Sequence, residues 1–134
     1  MLPAGAIFPF DMGFLPSTRG EDGDPLDVLV LMDEPVFPGC LVEARLIGVI
    51  EAEQTERDGE TMRNDRLIAV AAVAQSHKSI EALAHLEDSN VAAIEQFFVS
   101  YNTLAGKEFK PTGRGGPDWA RELVEDGGRR YGEK

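Results

Sequence analysis

The hydrophobic and polar positions along this chain change period once, dividing it into a strand-forming part and a helix-forming part. Leu26–Met32 is a nearly continuous apolar run, Leu41–Ala52 is rich in Val and Ile with partial alternation, and Leu67–Val73 is apolar again. Runs of this length and β-branched content predict three strands. A Pro-Gly turn region, Pro35–Gly39, separates the first two. The almost wholly polar stretch 53–66 separates the second from the third, with Asp58-Gly59 as a favoured hairpin turn pair. Ahead of the strands, the first 20 residues hold three prolines and three glycines among Ile7, Phe8, Phe10, Phe14 and Leu15. That composition predicts a bent, extended segment packed on the core.

In the last third the period becomes helical. Val91, Ile94, Phe97, Phe98, Tyr101 and Leu104 recur at helical spacing behind Asp88-Ser89-Asn90, which can cap the N-terminus, and Gly106 is placed to end the helix. This spacing sets the Tyr101 ring on the apolar face, toward the core. Ser79–Leu86 predicts a shorter helix. Pro117 opens another, carrying Trp119, Ala120, Leu123 and Val124, which Gly127-Gly128 should stop. Strands first and helices afterwards predict an α+β domain, mainly β, with a curved antiparallel sheet or small barrel flanked by helices. The 134 residues suit one domain, 1–134, with one core and no internal repeat.

Candidate chemistry concentrates where the first strand begins. Asp22, Asp24 and Asp27 fall within six residues and lead into Leu29-Val30-Leu31-Met32. Carboxylates this close repel one another unless cations sit between them, so a hard metal is their natural partner, held at the edge of a sheet by a buried strand. A solvated acidic loop is the competing reading. An EF-hand is excluded, because the calcium loop needs D-x-[DN]-x-[DN]-G and here Pro25 and Leu26 follow Asp24.

Charge narrows the partners. With 24 acidic against 13 basic side chains the formal charge is −11, which repels nucleic acid and anionic membrane unless metal ions intervene. An OB-like nucleic-acid binder is disfavoured further by the lack of a basic aromatic face. The lone Cys40 forms no internal disulfide and reads as a buried structural thiol, no stretch reaches the length of a membrane span, and no secretory signal opens the chain. A reducing, cytoplasmic setting is expected. His77 and His85 have no third ligand nearby for zinc and read as surface residues. Lys107, Lys110 and Arg114 form a small basic cluster beside Gly113, Gly115 and Gly116 without a Walker lysine-hydroxyl pair, and they face either substrate phosphate or solvent.

Asp22-Gly23-Asp24-Pro25-Leu26-Asp27-Val28 matches in full the signature D-[SGDN]-D-[PE]-hydrophobic-D-hydrophobic, and on it the chain resembles the soluble family I inorganic pyrophosphatases. The resemblance continues through Phe14-Leu15-Pro16, Phe37-Pro38-Gly39-Cys40, Val42–Val49, Leu67-Ile68-Ala69-Val70 and Phe97–Tyr101, from about Pro9 onward. It implies an OB-like five-stranded β-barrel with flanking helices and magnesium-dependent hydrolysis of pyrophosphate to two orthophosphates. Several Mg2+ ions per site are implied, with Mn2+ as a substitute. The chemistry suits the residues, because pyrophosphate is shielded by its own negative charge and must be neutralised before water can attack.

By that resemblance Asp22 and Asp27 bind metal, Asp24 orients or deprotonates the water, and Asp58 is a further metal ligand from the hairpin loop. The family pattern before the third strand is Asp-x-Lys, whereas this chain reads Asn64-Asp65-Arg66. Ungapped spacing places Asn64 at the metal; a one-residue adjustment brings Asp65 there, and Asp65 is the expected ligand because Asn carries no charge. Arg66 takes the place of the lysine as a substrate-binding cation of different shape. Tyr101 matches a phosphate-binding tyrosine. Asn102 stands where a lysine follows it, and Lys107 is expected to supply that charge.

The family also carries an earlier segment with a Glu, a Lys, a second Glu and an Arg, while this chain starts at Met1-Leu2-Pro3 and has Phe8-Pro9 and Met12 where the family has tyrosines. The resemblance therefore implies a barrel incomplete at the N-terminus. An exposed sheet edge favours a homo-oligomer. Each missing cation lowers transition-state stabilisation by on the order of 10²-fold, so the alternative expectation is a weakly active or non-catalytic domain that keeps divalent-metal binding.

Overall fold

The computed structural model describes residues 10–19, 24–32, 43–72, 74 and 78–132. Asp22, Phe8-Pro9, the Pro35–Gly39 turn, Cys40 and His77 lie outside them. The elements in order are β1 (Phe10–Phe14), β2 (Asp27–Leu31), β3 (Ala44–Thr55), β4 (Thr61–Arg63), β5 (Arg66–Ala71), a single 3-10 turn (Leu83–His85), α1 (Asp88–Leu104), β6 (Glu108–Gly115) and α2 (Pro117–Gly132). The fold is mainly β with two long helices, as the change of period predicts.

The strands form one six-stranded sheet in the order β1-β2-β5-β3-β4, with β6 also paired to β3. It is mixed, not purely antiparallel: β2 runs parallel to β5, with Val28 opposite Leu67 and Leu31 opposite Val70. The physical reason lies in the side chains. Val28–Leu31 and all of β5 are buried, and strands covered on both faces suit parallel pairing at the centre of a sheet. β1 pairs antiparallel with β2 alone among the described strands, so the sheet stays open on that side. Six strands are described where five were expected.

β3 is the longest strand and pairs with β5, β4 and β6. Its register shifts between Leu46 and Gly48 against β5, and again between Glu51 and Ala52 against β6. Such bulges bend a strand and let it serve two partners. Gly48 sits at a close approach, because a Cβ there would lie 2.6 Å from the Gly115 carbonyl oxygen and 2.7 Å from Leu83 Cβ. β6 escapes the sequence patterning because, of its alternate positions Phe109, Pro111, Gly113 and Gly115, Phe109 alone is a large apolar residue. Within that strand lie Lys110 and Arg114 of the basic cluster.

Val91, Ile94 and Phe98 of α1 are buried against the sheet, and the helix packs on β6 while α2 packs on β3. Continuing the buried stripe by four residues lands on Asn102, which is 4% exposed, so Tyr101 turns outward at 63% exposure rather than into the core. Asn102 fits that interior because its Nδ2 donates to the Phe98 carbonyl at 2.8 Å. The N-cap of α1 is Glu87 and makes no side-chain capping bond; Asp88 lies inside the first turn.

Two expected helix boundaries differ. Ser79–Leu86 contributes only the 3-10 turn, anchored by buried Leu83. Gly127-Gly128 does not stop α2, which runs to Gly132. Gly127 is buried where the helix crosses the loop before β2: a Cβ there would lie 2.8 Å from Leu26 Cδ1, and the Gly127 carbonyl accepts from the Arg19 backbone N–H at 2.9 Å. Thr18 ties the same loop, donating to the Leu15 carbonyl at 2.7 Å and accepting from the Leu26 N–H at 3.1 Å.

Two glycine substitutions should separate in sign. Gly128→Ala, in open space within α2, should raise stability by about 0.5–1 kcal/mol through helix propensity. Gly48→Ala should lower it by about 1–3 kcal/mol because backbone atoms must move. Urea denaturation of each variant reads both.

Candidate functional site

Parallel pairing of β2 with β5 builds the site. With Val28 opposite Leu67, the residues one step earlier, Asp27 and Arg66, stand side by side although 39 positions separate them in the chain. Asp27 Oδ2 accepts from Arg66 Nη1. Beyond them opens a cleft of about 480 Å³. Met12, Gly13 and Phe14 of β1 form one wall, and Phe97, Phe98, Tyr101 and Asn102 of α1 another. Asp24, Asp27, Gln54, Glu56, Asn64, Arg66 and Lys107 supply its polar groups.

Arg66 is 8% exposed, and its guanidinium carbon lies 5.4 Å from the ring centroids of both Phe98 and Phe109. Aromatic faces attract a guanidinium through their quadrupole, so the two rings partly replace lost hydration. Nη2 donates to Gln54 Oε1 at 3.1 Å, while Nε is buried without a partner among the described residues. Arg66 is therefore enclosed and bonded to protein while it also contributes to the lining of the cleft.

Gln54, 4% exposed, joins the polar residues. Its Oε1 also accepts from Asn64 Nδ2 at 3.0 Å, and its Nε2 donates to Glu56 Oε2 at 3.3 Å. The same Glu56 oxygen lies 3.3 Å from Lys107 Nζ. A continuous polar path thus runs Asp27–Arg66–Gln54–Glu56–Lys107, with Asn64 as a branch.

Of the expected site residues, Asp24, Asp27, Arg66, Tyr101 and Lys107 share this lining, and Asp22 lies outside the described residues. Asp58 and Asp65 do not line it. Asp58 sits at the tip of the β3–β4 hairpin, where its Oδ1 accepts the Glu60 N–H at 2.9 Å. Asp65 turns away: its Oδ1 accepts the Ala52 backbone N–H at 3.0 Å and Arg63 Nε at 3.1 Å. The Asp65 carboxylate first, and Glu51 after it, hold the Arg63 pKa above its ordinary value. From the same stretch of chain, Glu56 and Asn64 line the cleft.

Glu56 was legible in principle. Ile50, Ala52 and Gln54 are the buried alternate positions of β3, and the next step at period two is Glu56. Of the basic cluster, Arg114 is drawn elsewhere: bonds to Glu95 and then Asp88 raise its pKa.

The lining carries oxygen donors from Asp24, Asp27 and Glu56, with the side-chain amides of Gln54 and Asn64, and no Cys or His. This donor set fits a hard divalent cation and not zinc. Among the described residues, no three acidic, His or Cys side chains converge on a single point that could hold an ion.

A family model described as inorganic pyrophosphatase matches residues 1–132. Soluble inorganic pyrophosphatase 2 of Chlamydomonas reinhardtii is 39% identical over 99% of this chain and 67% of its own length. The inorganic pyrophosphatase of Halobacterium salinarum is 36% identical over 100% of this chain and 73% of its own. Among solved structures, the inorganic pyrophosphatase of Helicobacter pylori aligns with a TM-score of 0.81 at 31% identity, covering 93% of this chain and 72% of that one. That of Thermus thermophilus aligns at 0.80 with 36% identity, covering 91% and 69%.

Asp65→Ala should cost about 1–3 kcal/mol of stability, because it orphans the Ala52 N–H, and should leave divalent-metal affinity unchanged. Urea denaturation and metal titration calorimetry on the same variant check the two halves.

Proposed function

The chain belongs to the inorganic pyrophosphatase family, and on that premise we propose that its cleft hydrolyses pyrophosphate to two orthophosphates with Mg2+ as the working metal and Mn2+ as a substitute. The observation that carries the reading is the single lining shared by Asp24, Asp27, Glu56, Tyr101 and Lys107 around buried Arg66. Asp27 and Glu56 are the described metal ligands in this reading, with Asp22 as a further one from the signature. When bound, the divalent cations neutralise substrate charge and make water more acidic.

Asp24, exposed at the mouth of the cleft, accepts the proton of the attacking water. As the new P–O bond forms, the bridging P–O bond breaks, and the departing phosphate carries away its electron pair. Lys107 and the exposed Tyr101 hydroxyl orient the phosphoryl oxygens and stabilise their charge. Phe97, 6.0 Å from Tyr101 by ring centroids, steadies that side chain. Asn64, standing on the lining in place of a carboxylate, contributes an amide and leaves the site one negative charge poorer.

No helix among the described residues is long and apolar enough to cross a membrane. A cytoplasmic enzyme fits the lone cysteine and the charge. The side of β1 that has no partner among the described strands, and the exposed Phe14 on β1, favour association of copies into a homo-oligomer.

Phosphate release from pyrophosphate with Mg2+ tests the proposal. Asp24→Asn and Asp27→Asn should each lower kcat by on the order of 10²-fold or more. Metal binding by folded protein without phosphate release would instead support the non-catalytic alternative.

A further inference from the structure

Gln54 is a buried side chain that uses both ends of its amide, and the hydrolysis proposed above gives it no task. We infer that Gln54 and Arg66 are positioning residues for that reaction: Arg66 acts through Asp27 rather than on substrate phosphate, and Gln54 couples Arg66 to Glu56. The inference rests on the pyrophosphatase reading of the cleft.

Three observations support it. First, Arg66 is held from several sides, by the rings of Phe98 and Phe109, by Asp27 at Nη1 and by Gln54 at Nη2. A guanidinium so enclosed is a fixed fork, and a fixed fork sets the orientation of the carboxylate it bonds. Asp27 itself is the more exposed partner, with its side chain 41% accessible against 10% for Arg66. The carboxylate thus reaches the cleft and the arginine stands behind it.

Secondly, the Gln54 carbonyl oxygen accepts from both Arg66 and Asn64, which leaves its NH2 to donate to Glu56. The amide is oriented by a cation on one side and can only donate on the other, so it holds one Glu56 oxygen where Lys107 also meets it. Thirdly, the two carboxylates joined by this path come from the two strands that flank β5, Asp27 at the start of β2 and Glu56 just beyond β3. A hydrocarbon side chain at position 54 would fill the space without relating them. Groups that hold metal-binding carboxylates in place typically change affinity or activity by about 10–100-fold when removed.

The test compares Gln54→Met, Arg66→Lys and the double variant with the unaltered chain, measuring kcat and KM for pyrophosphate, Mn2+ affinity by calorimetry and the thermal midpoint. Met is close to Gln in size, so Gln54→Met removes the hydrogen bonds while keeping the volume. It also keeps the question answerable if Arg66→Lys fails to fold. The expected result for each folded single variant is a kcat lower by about tenfold, KM within about twofold and Mn2+ affinity weakened several-fold. The double variant should be no worse than the weaker single one, because both lie on one path.

A rise in KM of about tenfold with kcat unchanged for Arg66→Lys would place Arg66 on the substrate and overturn the inference. Wild-type kinetics and Mn2+ affinity in Gln54→Met would overturn it for Gln54. An unaltered chain that releases no phosphate would refute the proposed function instead, and Mn2+ affinity across the same variants would still decide whether the path positions the carboxylates.

Discussion

Burial of the Arg66 guanidinium is the constraint on which the rest of this structure depends. A charge removed from water needs compensation on every side. Here β2 supplies Asp27, β3 supplies Gln54, α1 supplies Phe98 and β6 supplies Phe109. Four elements distant in sequence therefore meet around one side chain. Their convergence leaves carboxylates along the cleft and aromatic rings behind them.

The parallel pair β2–β5 makes this arrangement possible. Its body is wholly apolar, from Val28–Leu31 and Leu67–Ala71, and supplies the rigid centre of the core. Its N-terminal ends carry Asp27 and Arg66, so the same register that packs the core also aligns the ion pair. An antiparallel pairing would put the two at opposite ends. Stability and site geometry are thus set by one choice of register.

The three lining carboxylates share the cleft with two cations, Arg66 paired to Asp27 and Lys107 paired to Glu56. Other basic side chains are kept away by acids of their own, Arg63 by Asp65 and Glu51 and Arg114 by Glu95 and Asp88. A polyanionic substrate would therefore enter a described lining with no excess of positive charge. That balance is the physical reason a pyrophosphate-hydrolysing site of this kind calls for added divalent cations, and why holding each carboxylate still matters.

What the sequence determined by itself is what periodicity and composition encode. The apolar runs located β2, β3 and β5, the helical spacing located α1 and α2, and the aspartate signature marked the edge where Asp24 and Asp27 line the cleft. Tertiary structure decided the rest. β6 was hidden because glycine and proline occupy its inward positions beyond Phe109, and Gly127 looked like a helix stop although Thr18 and Leu26 pack against it. In the polar stretch 53–66 no apolar pattern marks a face, and a shift of one residue moves a side chain to the opposite side of a strand. The alternation of β3 points on to Glu56, but only the pairing of β3 with β4 and β5 could bring Asn64 rather than Asp65 to the cleft lining.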